Sequence, residues 1–361
     1  MKVSHQPLTC VSLFSGCGGL DAGLADAGFR IALATDSNPL CSKAHALNFP
    51  RTPFVTASIK DVNAEEVREL IGKSRLDLLA GGPPCPPFSK SRFYRKDKPR
   101  ALDDPVAAET IGGYVRLLRE LRPRAFLLEN VRGFAYAVHR EAMDFVLSEA
   151  ASMGYETDWK ILNAADYGVP QIRERCFIMG SLIAKPTFPQ PTHQEPQVTL
   201  FDNLPTWVTA GDALRDLDTE ENASEEGHVA GGKHRNLLDE IPPGENYLYY
   251  TAERGHPNPV FAWRSRYWSF LLKLSPDRPA WTIQARRSNN MGPFHWRNRI
   301  LRIAEVKRLQ SFRDDFHLVG SVDEQWRQVG NAVPPLLAYY IGKSLREHLE
   351  NVDSMSRAAR Q

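Results

Sequence analysis

Cys85 sits in the run Gly81-Gly82-Pro83-Pro84-Cys85-Pro86-Pro87-Phe88-Ser89, directly after the apolar stretch Leu76-Asp77-Leu78-Leu79-Ala80. That stretch reads as a buried strand that hands a thiol to the surface through a loop rich in glycine and proline. Prolines fix φ and lower the entropy of the loop, so the sulfur would be held in place before a substrate arrives, which suits a nucleophile. A free cysteine that only fills a gap in the core is the alternative reading. Glu129 follows Ala125-Phe126-Leu127-Leu128 and precedes Asn130-Val131. A carboxylate emerging from a buried strand can hold or share a proton, although a lone glutamate there is also a common surface-turn residue. Gln171, Arg173 and Arg175 alternate. In an extended backbone all three share one face, where they could meet phosphates or a base edge, or form a salt-bridged strand edge.

The elements that must position these residues alternate between strands and helices. Thr9 to Phe14 reads as a first strand, Ser15-Gly16-Cys17-Gly18-Gly19 as a glycine-rich turn, and Leu20 to Ala27 as a helix ended by Gly28. Asp21 stands where the third glycine of a Gly-x-Gly-x-x-Gly fingerprint would be, which argues against a dinucleotide. A second strand, Arg30 to Thr35, ends in Asp36, where a carboxylate typically holds ribose hydroxyls. A third unit runs from Phe54 to Asp61-Val62, and the strand that feeds Cys85 is the fourth. Each acid could also be a helix cap. A helix over Val106 to Leu121 precedes the strand ending at Glu129. A helix from about Arg140 to Met153 and strands near Thr157 to Leu162 and Cys176 to Gly180 follow. The expected fold is α/β, with a doubly wound, mostly parallel sheet.

After Leu182 the prolines Pro186, Pro189, Pro191 and Pro196 break this pattern, which puts a boundary near residue 185. Aromatics and bases interleave across Trp263-Arg264-Ser265-Arg266-Tyr267-Trp268, Arg286-Arg287-Ser288-Asn289-Asn290 and Trp296-Arg297-Asn298-Arg299. Such a texture suits a DNA-reading surface, or a small aromatic core with arginines outside it. Glu305 to Phe312 reads as a helix closing this region, and Gln328 to Pro335 leads into an apolar helix from Leu336 to about Leu349. The polar tail Asn351 to Gln361 is expected to fray. The net charge of +2 does not by itself announce a polyanion partner, so any basic surface must be local. The five cysteines show no Cys-x-x-Cys and no zinc-site spacing, so no metal is expected and a reducing compartment is. No signal-peptide core and no bilayer-length apolar run is present, so no membrane association is expected.

Taken in order, these stretches resemble the motifs of the DNA (cytosine-5)-methyltransferase family, bacterial type. Phe14 to Leu20 is similar to its cofactor-binding glycine motif, Gly81 to Ser89 to its Pro-Cys motif, and Glu129-Asn130-Val131 to its Glu-Asn-Val motif. Gln171-x-Arg173-x-Arg175 resembles its Gln-x-Arg-x-Arg motif, Arg278-Pro279-Ala280-Trp281-Thr282-Ile283 its Arg-Pro-x-x-Thr-Ile motif, and Gly330-Asn331-Ala332-Val333-Pro334 its last motif. The order agrees from about residue 9 to about 345. Pro86 stands where the family usually has glutamine and Asp36 where it usually has glutamate. The Cys-Phe-Thr signature of the relative that methylates transfer RNA is absent, which favours DNA over RNA as substrate.

The resemblance implies methyl transfer from S-adenosylmethionine, leaving S-adenosylhomocysteine, to C5 of a flipped-out cytosine in double-stranded DNA. In that scheme Cys85 adds to C6, Glu129 holds N3 and the exocyclic amine, Arg175 contacts O2, and Arg173 supports the site. Phe14, Ser15, Gly16, Gly18, Gly19, Leu20, Asp36, Ser37, Asp61, Val62, Pro84, Asn331 and Val333 would hold the cofactor, with Asp61 on the adenine amine. Ser89, Gln171, Thr282, Arg264, Arg266, Arg286 and Arg287 would contact the DNA. The resemblance also implies a catalytic domain over 1–185 and about 322–361, a target-recognition domain over 186–300 and a hinge over 301–321. It further implies a cytoplasmic, nucleoid-associated bacterial monomer that could be paired with a restriction endonuclease.

Overall fold

The structure, a computed structural model, describes residues 7–72, 74–84, 103–196, 204–219 and 230–358. Its centre is a seven-stranded sheet in the order β3-β2-β1-β4-β5-β8-β6. The strands are β1 (Leu8–Leu13), β2 (Phe29–Asp36), β3 (Phe54–Thr56), β4 (Leu78–Gly81), β5 (Ala125–Val131), β6 (Glu156–Asn163) and β8 (Glu174–Ser181). Neighbours from β3 through β5 pair in parallel, and β8 runs antiparallel to both β5 and β6. The expected doubly wound, mostly parallel sheet is therefore present, with β8 as its one reversed strand. Because β1 lies between β2 and β4, the strand order switches direction there. The crevice at the carboxyl ends of β1 and β4 is where an open α/β sheet binds its ligand.

Burial explains the strands. Every residue of β1 and of β4 is buried, as for central strands covered on both faces. The helices carry one apolar stripe each. In α3 (Ala64–Ile71) the buried residues are Ala64, Val67 and Ile71, and the Asn63 side chain caps the Glu65 N–H at 2.7 Å. In α4 (Pro105–Leu121) Asp104 caps Val106 N at 3.0 Å with Pro105 in the first turn. The Tyr114 hydroxyl of α4 donates to the carbonyls of Leu79 and Leu127 at 3.2 and 3.0 Å, tying the helix to β4 and β5.

The chain divides into two compact units. One comprises Met1–Asn163, Glu174–Gln190 and Ala332–Gln361, and the other Ala164–Arg173 and Pro191–Asn331. The first unit holds the sheet, together with α1 (Gly19–Asp26), α2 (Pro39–Asn48), α5 (Arg140–Ser152) and the last helix, α10 (Pro335–Ala358). Gly23 of α1 lies so close to α10 that a Cβ there would fall 2.5 Å from that of Ala338. Leu337, Ala338, Ile341, Leu345 and Leu349 make the buried stripe of α10. This helix continues to Ala358, through a tail expected to fray: extending an existing helix costs far less than nucleating one.

The second unit contains the pair β7 (Gln171–Ile172) and β9 (Ala280–Trp281) and the helices α6 (Ala210–Leu214), α7 (Arg235–Leu238), α8 (Ile303–Leu309) and α9 (Val322–Asn331). The rings of Tyr247, Phe261 and Phe270 meet edge to face at 5.7 to 5.9 Å. Residues 301–321, read above as a hinge, and the start of the last motif as far as Asn331 both fall in this unit. Within it α8 is anchored by the buried pair Arg299–Glu305 at 2.6 Å.

Candidate active site

The glycine-rich turn after β1 is shaped by backbone that ordinary residues avoid. Gly16 and Gly18 have φ of 56° and 98°, and even Phe14 sits at 55°. Nothing lies within 4 Å of where a Cβ on Gly16 would point, so the chain there is open to a ligand. Gly16 N donates to Asp36 Oδ2 at 3.0 Å and Asn38 N to Asp36 Oδ1 at 2.9 Å, which fixes the carboxylate at the end of β2. Burial pushes the Asp36 carboxyl up, against the backbone donors that pull it down. Beneath the turn, Asp21 is fully buried. It accepts from Ser12 Oγ at 2.5 Å and pairs with His45 Nε2 at 2.8 Å, so the residue that spoils the dinucleotide fingerprint braces the loop.

A small cleft opens at these strand ends, lined by Phe14, Thr35, Asp36, Ser37, Ala57, Ser58, Ile59, Pro84 and Thr110. Of the residues expected to hold a cofactor, Phe14, Asp36, Ser37 and Pro84 line it, and Ser15, Gly16, Gly18, Gly19 and Leu20 form the adjoining turn and helix start. Asp61 and Val62 do not line it. They border a separate hollow with Lys60, Asn63 and Arg116. A turn closed by Asp61 N donating to Ser58 O at 2.9 Å puts Ser58 and Ile59 at the cleft and carries Asp61 away from it. The sequence reading missed Thr35, Ala57, Ser58, Ile59 and Thr110. The signal that could have found Ala57, Ser58 and Ile59 is their place directly after β3. Val333 is buried in the first unit and Asn331 ends α9 in the second; neither lines the cleft.

Pro84 is the last described residue before the loop, so Cys85 and Ser89 lie outside the described residues. The root of the loop is held by hydrogen bonds. Asn130 Nδ2 donates to Pro83 O at 3.3 Å while its Oδ1 accepts from Val131 N at 2.9 Å, clamping the loop to the end of β5. Glu129 is 7% exposed, and a Cβ on Gly82 would lie 2.8 Å from its Oε2. Its Oε1 faces Arg175 Nε at 3.1 Å. The other four cysteines, Cys10, Cys17, Cys41 and Cys176, are buried. Burial pushes every one of these thiols up, Cys41 and Cys176 to about 12. None of them is a ready thiolate.

The alternating Gln171, Arg173 and Arg175 do not act as one row. Gln171 is wholly buried. It donates to Leu309 O at 3.1 Å and Gln310 Oε1 at 3.0 Å and accepts from Ile283 N at 3.1 Å. Arg173, 1% exposed, donates to Ile283 O at 3.1 Å and Gly330 O at 2.8 Å. The extended run breaks at Arg173, with Gln171–Ile172 pairing to β9 and Glu174 onward to β5 and β6. Thr282 Oγ1 donates to Ile172 O at 2.7 Å, a backbone tie where a substrate contact was expected. In the second unit Arg264 and Arg286 are exposed. The Arg266 guanidinium lies 5.9 and 6.0 Å from the Phe261 and Phe270 ring centres, and Arg287 pairs with Asp323 at 2.9 Å. Among the described residues no group of three or more His, Cys, Asp or Glu is placed to hold a metal ion, and no helix is long and apolar enough to cross a membrane.

A mostly parallel seven-stranded sheet with a reversed strand near one edge, a glycine turn after β1 and a carboxylate ending β2 is the architecture of the S-adenosylmethionine-dependent methyltransferase fold. Among solved structures, a DNA modification methyltransferase encoded within a prophage (E. coli) is 25% identical, with a TM-score of 0.67 over 95% of this chain and 99% of that one. Spodoptera frugiperda DNMT2, 17% identical, shares the fold with a TM-score of 0.61 over 94% and 99%. The family model of C-5 cytosine-specific DNA methylase matches residues 8–347. The Type II methyltransferase M.SacI of Streptomyces achromogenes is 38% identical over 98% of this chain and 96% of its own. The Type II methyltransferase M.XorII of Xanthomonas oryzae is 31% identical over 96% and 87%. The chain belongs to the C-5 cytosine-specific DNA methylase family and is a DNA (cytosine-5)-methyltransferase.

Proposed function

We propose that this enzyme methylates C5 of a flipped-out cytosine in a specific double-stranded DNA sequence, using S-adenosylmethionine and a covalent adduct to Cys85. The observation that carries the reading is the meeting of two features at one place. The cleft containing Asp36 ends at Pro84, next to Cys85, and the Glu129 carboxylate lies against Gly82 at the root of the same loop. The cleft suits an adenosyl ligand, since Asp36 offers a fixed carboxylate for ribose hydroxyls and Gly16 leaves the backbone open to the methionine end. When bound, S-adenosylmethionine supplies the electrophilic methyl group.

C5 of cytosine is a poor nucleophile until C6 is attacked. In this reading the Cys85 thiolate adds to C6, while Glu129 holds N3 and the exocyclic amine and stabilises the charge that develops. Arg175 keeps the Glu129 carboxylate aimed and contacts O2 of the base. After C5 is methylated, loss of its proton expels the thiolate and restores the ring. Gln171, Arg173 and Thr282 act by fastening the backbone of the second unit. Base flipping is required because C6 is out of reach in a stacked duplex. Residues 186–300 carry target recognition, with Arg264, Arg266 and Arg286 among its exposed cations. The Type II names of its relatives suggest a role beside a restriction endonuclease of the same specificity. In this reading the enzyme acts as a monomer in the bacterial cytoplasm.

The test is trapping on a duplex carrying 5-fluorocytosine at the target, from which C5 fluorine cannot leave as a proton does. A denaturation-resistant protein–DNA adduct should form with the wild-type enzyme in the presence of S-adenosylmethionine and be absent with Cys85→Ala. An equal yield of adduct from Cys85→Ala would overturn the role given to this thiol.

A further inference from the structure

We infer that Ser58 and Glu109 together read the 6-amino edge of the cofactor's adenine, with Glu109 setting the direction of the Ser58 hydroxyl. The inference rests on the cofactor reading above and deepens it. Within the cleft the strand order gives the ligand its direction. Pro84, beside the reacting thiol, follows β4, Asp36 ends β2, and Ser58 lies just beyond β3 at the edge of the sheet. A ligand with its methyl group near Pro84 and its ribose at Asp36 therefore brings its base to the β3 end.

Ser58 is the polar side chain of the lining there. Its Oγ donates to Glu109 Oε1 at 2.8 Å. A hydroxyl carries one proton and two lone pairs. With the proton committed to the Glu109 carboxylate, Ser58 Oγ presents only acceptor character to the cleft, the match for an exocyclic amine and the mismatch for a 6-oxo group. Thr110, the other hydroxyl on this side, is turned back onto its own helix and donates to Val106 O at 2.7 Å. Asp61, the acid expected to meet this amine, borders the other hollow. Glu109 itself is exposed on α4 and does not line the cleft, so it acts through Ser58 as a positioning residue.

Calorimetry with two probes tests this, S-adenosylhomocysteine and S-inosylhomocysteine, in which the 6-amine is replaced by a 6-oxo group. The wild-type enzyme should favour the adenosyl probe by about tenfold or more, the discrimination expected when one hydrogen bond is made in one complex and reversed in the other. Glu109→Ala frees the hydroxyl to donate, so the ratio should fall toward one, chiefly by a gain in affinity for the inosyl probe. A gain of that kind cannot come from loss of structure. Ser58→Ala should weaken the adenosyl probe and also erase the ratio. Equal wild-type affinities, a ratio that survives Glu109→Ala, or one abolished by Asp61→Ala instead would overturn the pairing. Failure of the wild type to bind S-adenosylhomocysteine at all would overturn it together with the cofactor reading beneath it.

Discussion

Arg175 Nε stands 3.1 Å from Glu129 Oε1, an ion pair made across two antiparallel strands. The register sets it up. Val131 of β5 lies opposite Arg175 of β8 and Glu129 opposite Phe177, so acid and base are diagonal neighbours on one face. Both side chains are mostly buried, at 14% and 9% exposure. Glu129→Gln keeps the shape and removes the charge. It should slow methyl transfer by roughly 10²–10⁴-fold in single-turnover kinetics, with DNA affinity little changed. Arg175→Ala should also lower stability to urea by roughly 2–4 kcal/mol, because the carboxylate loses a guanidinium in a partly desolvated place.

Gly82→Ala offers a finer probe of the same carboxylate. The added methyl would lie 2.8 Å from Glu129 Oε2, too close to leave the acid where it is. The backbone at Gly82 is not left-handed, so the change should cost little stability. The expected outcome is turnover reduced by about tenfold or more with S-adenosylhomocysteine affinity unchanged within about twofold. An unchanged turnover would show that Glu129 need not hold its present position.

Much of this was legible in the sequence because the first unit obeys local rules. Apolar runs made β1, β4 and β5, and glycine turns and cap residues marked where they end. What the sequence could not show was three-dimensional choice. The alternation of Gln171, Arg173 and Arg175 promised one face, yet the run breaks at Arg173 and only Arg175 joins Glu129. A carboxylate near the third strand pointed to Asp61, whereas the turn closed onto Ser58 O left Ser58 at the cleft. In the second unit, hydrogen bonds to loop carbonyls replace regular periodicity, and no periodic pattern foretells them.

Arg173→Ala separates a structural from a chemical role. Its guanidinium forks to Ile283 O and Gly330 O, and both carbonyls would lose a charged donor. The expected loss is about 3–5 kcal/mol of stability in urea unfolding, and Arg173→Lys should not restore it, since one ammonium cannot reproduce the planar fork. A variant that keeps wild-type stability but fails to methylate would return Arg173 to the chemistry.

Arg264 and Arg287 should differ as DNA contacts. Arg264 is exposed beside the Trp263 ring at 5.7 Å, whereas Arg287 is engaged by Asp323 at 2.9 Å. Each phosphate contact removed should reduce the slope of log affinity against log salt by about 0.9. Arg264→Ala is expected to show that reduction in a salt titration, and Arg287→Ala a smaller one. Equal slopes for both variants would mean that Asp323 gives up its arginine to the DNA.

Acid should weaken the second unit through His295. The ring is fully buried, its Nδ1 accepts from Arg297 N at 3.1 Å, and its Nε2 lies 3.6 Å from Asp218 and 3.8 Å from Glu305. Burial, with the Arg299 charge beside it, pushes its pKa down to about 4, and the two carboxylates only partly offset this. Because the folded value lies below that of the unfolded chain, the unfolded state binds the proton first as pH falls, and stability drops between about pH 6.5 and 4. The cost should reach about 2 kcal/mol by pH 5. His234 and His348, also pushed down by burial, act with the same sign. Glu305 resists its own burial through Arg299 and Arg302. Its pKa is held low, so its stabilising effect is lost only at lower pH and does not confuse the window. Urea unfolding at pH 7 and pH 5 should therefore show a smaller difference for His295→Asn than for the wild type, whatever that substitution does to stability at pH 7. An equal difference would mean that the pKa of His295 is the same in the folded and the unfolded protein.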